Sequence, residues 1–555
     1  MSNTPQLNIA IAQCNPLVGD IAGNAQKIIS KAKAAAEQSA DLVLYPELML
    51  CGYPPEDLLF RPAFQAQIEK HIDYIAQQLA IDHADLCLVV GAPEYVGNKI
   101  YNAAYVLQRG QVQAVYRKQC LPNYGVFDER RYFSKGKQPL VIELRGARLG
   151  ITVCEDIWHK RPALLAKREG AELLLNLNAS PFHEAKLSQR QHVVRKRVKQ
   201  TGLPLVYCNL VGGQDELVFD GRSMVYNHLG ECCYLAPGVE ETLQVVNFQK
   251  QDGHWQPQCD PIKSAAEADA ELAEVYSALV LGVRDYVNKN GFPGVVLGLS
   301  GGIDSALVLA IAADALGADK VEAILMPSRY TADMSNEDAV QEAEALGVQW
   351  RSMAIEPAVK VFDQMLAERF DGLPVDTTEE NIQARIRGLL LMAVSNKTGK
   401  MVLTTSNKSE TAIGYATLYG DMAGGYGPLK DVFKTLVYEL ASYRNRLAGR
   451  EIIPQRVIDR PPSAELRPDQ KDIDSLPPYE VLDPILELSI EADHSVEAIV
   501  ELGYDEDLVR RVVAMVKRNE YKRQQASPGV KITQRAFGRD RRYPITSGYK
   551  PGQSV

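Results

Sequence analysis

No stretch of the 555-residue chain stays apolar for the roughly 18 residues that span a bilayer, so no membrane segment is expected. Met1 to Gln6 has no basic n-region and leads straight into a candidate strand, so no secretory leader is expected either. Cysteine is scarce and lopsided: nine occur, all between Cys14 and Cys259, with no regular framework and no pair of CxxC knuckles. That argues against a disulfide scaffold or a zinc site and points to reduced thiols in a cytoplasmic protein. Positive charge is not in excess, and a net charge of −9 argues against nucleic acid as the main partner. Internal repeats and low-complexity tracts are absent. What is present is 46 % hydrophobic residues, enough for large cores. The length allows two to four domains of about 100–200 residues each.

The first half alternates short apolar strands with helical patterns. Strands are expected at Leu7–Ala12, Leu42–Tyr45, Leu86–Gly91, Leu149–Cys154, Leu173–Leu177 and Leu205–Cys208, with helices over Asn24–Glu37 and Arg61–Ala80. Arg109-Gly110 turns a hairpin between Ala103–Gln108 and Val112–Tyr116. Residues 1–248 read as one domain, and 249–264, rich in Gln, Asp and Pro, as a linker. A helix from Ala265 to Asn288 opens a second domain, 265–555. There, strands Val295–Leu299, Val321–Met326, Trp350–Ile355 and Met401–Thr405 alternate with helices to Gly317, over Ser335–Leu346 and over Thr378–Asn396. This α/β alternation is the signature of a doubly wound parallel sheet, whose ligands bind beyond the carboxyl ends of the strands. Ser463 to Pro478 reads as a mobile surface loop, and Lys517 to Lys550 as a basic tail.

One segment stands out. Gly298-Leu299-Ser300-Gly301-Gly302-Ile303-Asp304-Ser305 carries an apolar strand through a glycine turn into a helix. Without Cβ, Gly301 and Gly302 permit positive φ and close approach to an anion. The turn amides and the helix N-terminus then face one place with partial positive charge behind them. Ser300 and Ser305 offer hydroxyls, and Asp304 can hold the Mg2+ that accompanies a polyphosphate. No Gly-Lys-Ser/Thr follows the glycines, so this is not a Walker loop. It resembles the loop of ATP pyrophosphatases, which split ATP between the α and β phosphates. Further on, Leu403 to Glu410 ends a strand in a polar cluster, where Thr405 can contact ATP and Glu410 can supply a second metal carboxylate. Ser409 and Glu410 also read as the cap and first turn of a helix.

Ser300–Ser305, Thr404–Glu410, Gly414–Asp421 and Pro461–Leu466 together resemble the NAD synthetase family over residues 270–555. The resemblance implies a Rossmann-like ATP-pyrophosphatase domain that adenylates the carboxylate of nicotinic acid adenine dinucleotide (deamido-NAD+), after which ammonia displaces AMP. It places Asn381, Glu410 and Lys531 on that dinucleotide. Read alone, Asn381 also fits a helix cap and Lys531 a solvated tail charge. The family pairs through its ligase domains, which implies a homo-oligomer, a dimer or octamer.

In the first half Glu47, Lys118 and Cys154 each stand where a strand ends, in the segments Leu42–Glu47, Val115–Lys118 and Leu149–Trp158. Order and flanks resemble the nitrilase, or carbon–nitrogen hydrolase, family over residues 5–245, which implies a four-layer α-β-β-α sandwich. A free thiol titrates near 8.5, so Cys154 needs help to become a nucleophile. Glu47 would serve as base and Lys118 as oxyanion stabiliser. Glutaminases of this family place L-glutamine on residues matching Tyr124, Ser180 and Lys186; Ser180 before Pro181 also reads as a plain turn. An amidase joined to an adenylating ligase is chemically coherent, because ammonium lacks the lone pair that ammonia brings. Two alternatives stay open: another nitrilase-linked ATP-pyrophosphatase amidotransferase, and an amidase that ATP regulates.

Overall fold

A computed structural model describes residues 5–262, 269–463, 465–467, 470, 472 and 476–549. They divide into two compact units: one holds the described residues up to Gln214 and from Val218 to 262, the other Asp215–Leu217 and those from 269 onward.

The first unit is built on two sheets. Strands β1 (Gln6–Gln13), β2 (Leu42–Leu44), β3 (Cys87–Val96), β4 (Lys99–Gln108) and β5 (Gln111–Arg117) begin one of them. The other takes β6 (Leu140–Leu144), β7 (Ala147–Val153), β8 (Leu173–Asn178) and β9 (Leu205–Asn209). After a hairpin of β10 (Val211–Gln214) and β11 (Leu217–Asp220) it adds β12 (Met224–Tyr226) and β13 (Cys232–Leu235); β14 (Thr242–Gln251) and β15 (His254–Pro257) return to the first sheet. The orders are β15-β14-β1-β2-β3-β4-β5 and β13-β12-β9-β8-β7-β6. β7, β8 and β9 are parallel and covered on both faces, so they read as unbroken apolar runs such as Leu173-Leu174-Leu175. The inner faces share one core, in which Ile11, Val89 and Val106 meet Ile151, Leu175 and Val206.

Helices α1 (Ile21–Glu37) and α2 (Pro62–Asp82) lie against the first sheet. After α3 (Glu129–Tyr132) and α4 (Glu155–Trp158), helices α5 (Lys160–Arg168) and α6 (Lys186–Thr201) pack Ala163, Ala166, Val194 and Val198 onto the second. The result is the expected four-layer α-β-β-α sandwich. In the hairpin between β4 and β5, Arg109 (φ 52°) and Gly110 (φ 79°) both take positive φ, the geometry that joins twisted strands across two residues.

The second unit runs α7 (Ala270–Lys289), β16 (Val295–Gly298), α8 (Ile303–Leu316), β17 (Val321–Leu325), α9 (Asp333–Leu346), β18 (Gln349–Ser352), α10 (Glu356–Phe370), α11 (Thr377–Thr398) and β19 (Met401–Leu403). The sheet is parallel, in the order β18-β17-β16-β19, so the chain reverses direction across the sheet between β16 and β19. A ligand crevice opens at such a point. α8 is apolar on every side and buries Ala306 to Ala312 without a gap. There follow α12 (Lys408–Ile413), α13 (Lys434–Ala448), α14 (Gln455–Asp459), α15 (Tyr479–Ile490), α16 (Val496–Glu501), α17 (Glu506–Arg518) and α18 (Glu520–Arg523), of which α12, α15, α16 and α17 share a core around Leu482, Ile485 and Val512. No helix among the described residues is long and apolar enough to cross a membrane.

Three expectations need correction, and one helix was not expected. Much of the expected linker at 249–264 is sheet: β14 extends to Gln251, β15 pairs with it, and Trp255 is fully buried between the sheets. Its Gln and Asp residues are the outward half of a sheet edge; from Lys263 on, the linker lies outside the described residues, as do the first residues of the expected helix at Ala265. α10 has no counterpart in the sequence reading, because only Val359 is buried along it and no apolar stripe marks it. Within the expected surface loop Ser463–Pro478, the described residues Gln470, Asp472 and Leu476 are buried, and the others partly lie outside the description. The basic tail is partly neutralised within the fold, since Arg523 and Arg541 both pair with Glu520 at 2.7 Å; Lys550 lies outside the described residues.

Candidate active sites

In the first unit three strand ends bring three chemistries together. Glu47 follows β2 in a turn that crosses β3 at Gly91, where a Cβ would stand 2.3 Å from the Leu48 amide nitrogen. Lys118 follows β5. Cys154 sits between β7 and α4 at φ 43°, a left-handed conformation costly for a non-glycine residue, with its amide bonded to the Leu177 carbonyl at 2.7 Å. Lys118 Nζ donates to Glu47 Oε1 at 2.7 Å and to Glu129 Oε1 at 2.8 Å, and the Lys118 and Glu47 side chains are wholly inaccessible to solvent. Glu47 also accepts from Asn102 Nδ2 at 2.6 Å and from the Ala179 amide at 3.0 Å. Tyr53 OH donates to Glu129 Oε1 at 3.0 Å.

Burial dominates the electrostatics. It pushes the Cys154 thiol well above its ordinary value; Glu47 adds to that push and Lys118 opposes it. Burial alone would discharge Lys118, but Glu129 and Glu47 outweigh it and hold the ammonium charged. Glu129 is pushed up to about 7 by burial, against the pull of Lys118. At rest the centre is therefore a neutral thiol beside a charged lysine clamped by two glutamates. Glu129, Asn102 and Tyr53 were not found from the sequence. Each is common residue chemistry in an unremarkable local pattern, and only the fold aims it inward.

Of the expected glutamine contacts, Tyr124 is half exposed and donates its OH to Glu155 Oε2 at 3.0 Å, on the segment that carries Cys154. Ser180 is not a surface turn: it is buried, its amide bonds Asn209 Oδ1 at 2.9 Å, and its Oγ accepts from Arg190 Nε at 3.1 Å. Arg190 is itself a buried cation, paired with Asp220 at 2.6 Å. Lys186 opens α6 and holds its Nζ 4.5 Å from the Trp158 ring centre.

In the second unit a cavity of about 280 Å3 lies over the strand ends, lined by Gly298, Leu299, Ser300, Gly302, Ile303, Asp304, Ser305, Thr405 and Glu410. Gly301 takes φ 76°, and a Cβ there would stand 2.1 Å from the Ser335 carbonyl oxygen, so no other residue fits. Gly302 does not share this role, because at φ −90° it is ordinary extended backbone capping α8. The two serines first serve the loop: Ser300 Oγ and Ser305 Oγ lie 3.1 Å apart, Ser305 Oγ donates to the Gly302 carbonyl, and the Gly302 amide donates to Ser300 Oγ.

Lys434, the first residue of α13, bonds Asp304 Oδ2 directly and lies 3.4 Å from Glu410 Oε1. Burial pushes the Glu410 carboxyl up to about 8, with Asp304 adding to the push and Lys434 opposing it. Two carboxylates thus converge on one cation beside the glycine loop. Among the described residues no cluster of three or more His, Cys, Asp or Glu stands ready for a metal. A pair suits Mg2+, which takes one or two protein carboxylates and fills its shell with phosphate and water oxygens. The helix cap here is Asn407, whose Oδ1 accepts from the Glu410 amide at 2.9 Å while its Nδ2 holds Asp304; Ser409 is buried on Asp483 instead.

Asn381 and Lys531 do not line this cavity. Asn381 is not the cap of α11, which is Asp376 in a capping box with Glu379; its Oδ1 accepts from Thr417 Oγ1 at 2.8 Å. Lys531 is no solvated charge: its ammonium bonds the Thr533 and Gln534 carbonyls and pairs with Asp540 at 3.0 Å.

A buried cysteine–glutamate–lysine cluster on an α-β-β-α sandwich and a glycine-loop cavity on a doubly wound sheet define two units of different architecture in one chain. Residues 8–254 match the carbon–nitrogen hydrolase family and residues 275–526 the NAD synthase family. The glutamine-dependent NAD(+) synthetase of Acinetobacter baylyi is 49 % identical over 98 % of this chain and 99 % of its own, and that of Thermotoga maritima 44 % identical over 98 % and 99 %. The solved glutamine-dependent NAD+ synthetase of Acinetobacter baumannii, in complex with ADP, is 45 % identical with a TM-score of 0.78, covering 99 % of this chain and 100 % of that one. The chain belongs to the glutamine-dependent NAD(+) synthetase family.

Proposed function

We propose that the enzyme makes NAD+ from deamido-NAD+, ATP and L-glutamine, with a separate centre for each half of the reaction. In the first unit the Cys154 thiol attacks the glutamine carboxamide, Glu47 takes its proton, and Lys118 steadies the oxyanion of the tetrahedral adduct. Ammonia leaves with the proton from Glu47, and Glu47 then activates water against the thioester to free glutamate. The neutral resting thiol fits this order, since the proton is withdrawn as glutamine is attacked. Tyr124, Ser180 and Lys186 surround the amino-acid end of the donor.

In the second unit residues 298–305 and Thr405 bind ATP. The nicotinate carboxylate attacks the α-phosphorus, pyrophosphate leaves onto the loop amides, and ammonia displaces AMP from the acyl adenylate. Asp304 and Glu410 would hold Mg2+, whose charge offsets that of the pyrophosphate. Contact of Asn381 and Lys531 with the dinucleotide requires that their present internal bonds be exchanged for ligand bonds. The nine cysteines are all free thiols, which supports a cytoplasmic setting.

The observation that carries the reading is Lys118 buried between Glu47 and Glu129, beside Cys154, in a chain that also closes a glycine loop over Asp304 and Glu410. It is tested by supplying glutamine, Mg-ATP and deamido-NAD+ and assaying NAD+, AMP, pyrophosphate and glutamate in equal amounts. Accumulation of ADP and orthophosphate instead would refute it.

A further inference from the structure

One buried acid of the first unit has no part in the reaction proposed above. Asp156 lies two residues after Cys154, in α4, and is fully buried. Its carboxylate accepts four hydrogen bonds. Oδ1 takes the Gln119 amide at 3.0 Å and the Cys120 amide at 2.8 Å. Oδ2 takes the Val153 amide at 3.1 Å and the Tyr116 hydroxyl at 2.8 Å. Gln119 Nε2 donates in turn to the Tyr116 oxygen at 3.2 Å, which leaves the hydroxyl proton for Asp156. Donors alone face the group, the setting of an ionised carboxylate. Burial raises the carboxyl above its ordinary value, while Tyr116, the Val153 and Cys120 amides and the Lys118 charge pull it back.

These donors flank the two reacting side chains. Tyr116, Gln119 and Cys120 bracket Lys118, and Val153 precedes Cys154. The two segments leave different sheets, so no strand ladder sets the distance between them. Lys118 follows β5, an edge strand with only β4 beside it. Its amide bonds the Asn102 carbonyl of β4 at 2.8 Å, and the Cys154 amide bonds the Leu177 carbonyl of β8 at 2.7 Å. Each reacting residue is thus fastened to its own sheet. Asp156 joins the two, with one oxygen on the amides after Lys118 and the other on the amide before Cys154. Its bond to Val153 also closes the turn in which Cys154 takes φ 43°, a conformation that persists only where its surroundings enforce it.

We propose that Asp156 is a positioning residue of the thiol centre: its carboxylate sets the spacing of Lys118 and Cys154 by tying the two strand ends together. It bonds neither the thiol nor the ammonium, which Glu47 and Glu129 hold, and it exchanges no proton with either. The inference rests on the glutamine hydrolysis proposed above. Spacing matters there because the oxyanion forms on the carbon that the thiol attacks, and Lys118 Nζ has to reach it.

The test is Asp156→Asn. Whichever way its amide is turned, the NH2 group faces a backbone N–H, so a tie is lost. Glutamine hydrolysis should lose about a hundredfold in kcat. KM for glutamine should stay within about threefold, because Tyr124, Ser180 and Lys186 remain. NAD+ synthesis from ammonium salts should keep the parental rate, which also shows that the variant is folded. An unchanged kcat overturns the proposal, and so does a rise in KM that accounts for the lost activity. Should the asparagine variant lose the ammonium-driven rate as well, it is misfolded and Asp156→Glu decides. That variant keeps the charge on an arm one methylene longer. A fall in kcat of about tenfold at parental KM would then support the proposal, and a parental kcat would overturn it. If the parent itself releases no glutamate from glutamine, the functional reading fails instead, so the two failures are distinguishable.

Discussion

The two candidate centres differ in how complete each is without its substrates. In the sandwich centre the buried charges hold one another: Lys118 is shared by Glu47 and Glu129, and Glu47 is held on both carboxylate oxygens. In the parallel-sheet unit Asp304 and the Glu410 carboxyl meet Lys434 at the wall of an open cavity, burial raises Glu410 to about 8, and the terminal nitrogens of Arg387 have no acceptor among the described residues. A centre that works through its own nucleophile can be preorganised by the protein alone, because all the reacting charges except the substrate's belong to the chain. A centre that handles a triphosphate has to leave room for charge that arrives with the ligand.

Substitutions can break this contrast one side at a time. Cys154→Ala should abolish glutamine-driven NAD+ synthesis, by at least about a thousandfold, and leave synthesis from ammonium salts intact. Loss of both in a normally folded variant would mean that the nucleophile does not belong to one half-reaction only. Gly301→Ala should do the converse. Its Cβ strikes backbone rather than a flexible side chain, so the loop must move, and the ligase rate should fall roughly a hundredfold while glutamine hydrolysis persists. A normal ATP-dependent rate would show that the loop is not held by that close approach.

Glu129→Gln should have a smaller effect, about ten- to a hundredfold on glutamine hydrolysis alone. Only one of the two carboxylates that keep Lys118 charged is then lost. Steady-state hydrolysis rates measure it, and an unchanged rate would leave Glu129 a purely structural partner. The smallest effect concerns stability. Because the folded Glu410 carboxyl is raised to about 8 from an unfolded value near 4.3, the native state binds the extra proton and loses stability as pH rises between those limits. Glu410→Gln has no charge to bury. Its melting temperature, relative to the parent without ligands, should therefore climb from pH 5 to pH 8, even though ligase activity is lost. A difference independent of pH would contradict the raised carboxyl.

Much of this molecule was readable from the chain alone, and the reasons are local. Strands such as Leu173–Leu177 and the helix after Ser305 advertise themselves because burial on all sides demands unbroken apolar runs. Gly301, Asp304, Glu47 and Cys154 were legible because they stand where strands stop, at short spacings from punctuating residues. α10 escaped because an exposed helix bears no stripe, and β15 because a sheet edge is half polar and resembles a linker. Glu129, Lys434 and Arg387 escaped for another reason: each meets a partner that lies far from it in sequence, Tyr53, Asp304 and Met326 respectively, and nothing next to it in the chain says so.

The order of residues by itself determined where the chain turns from strand to helix, and which side chains stand at those turns. Short-range sterics and the period of the apolar residues suffice for that. Only the tertiary structure decided which charges are buried against one another, and so which carboxyls hold protons and which cations keep donors free. Those properties depend on desolvation and on distances across the fold, which a one-dimensional pattern does not contain.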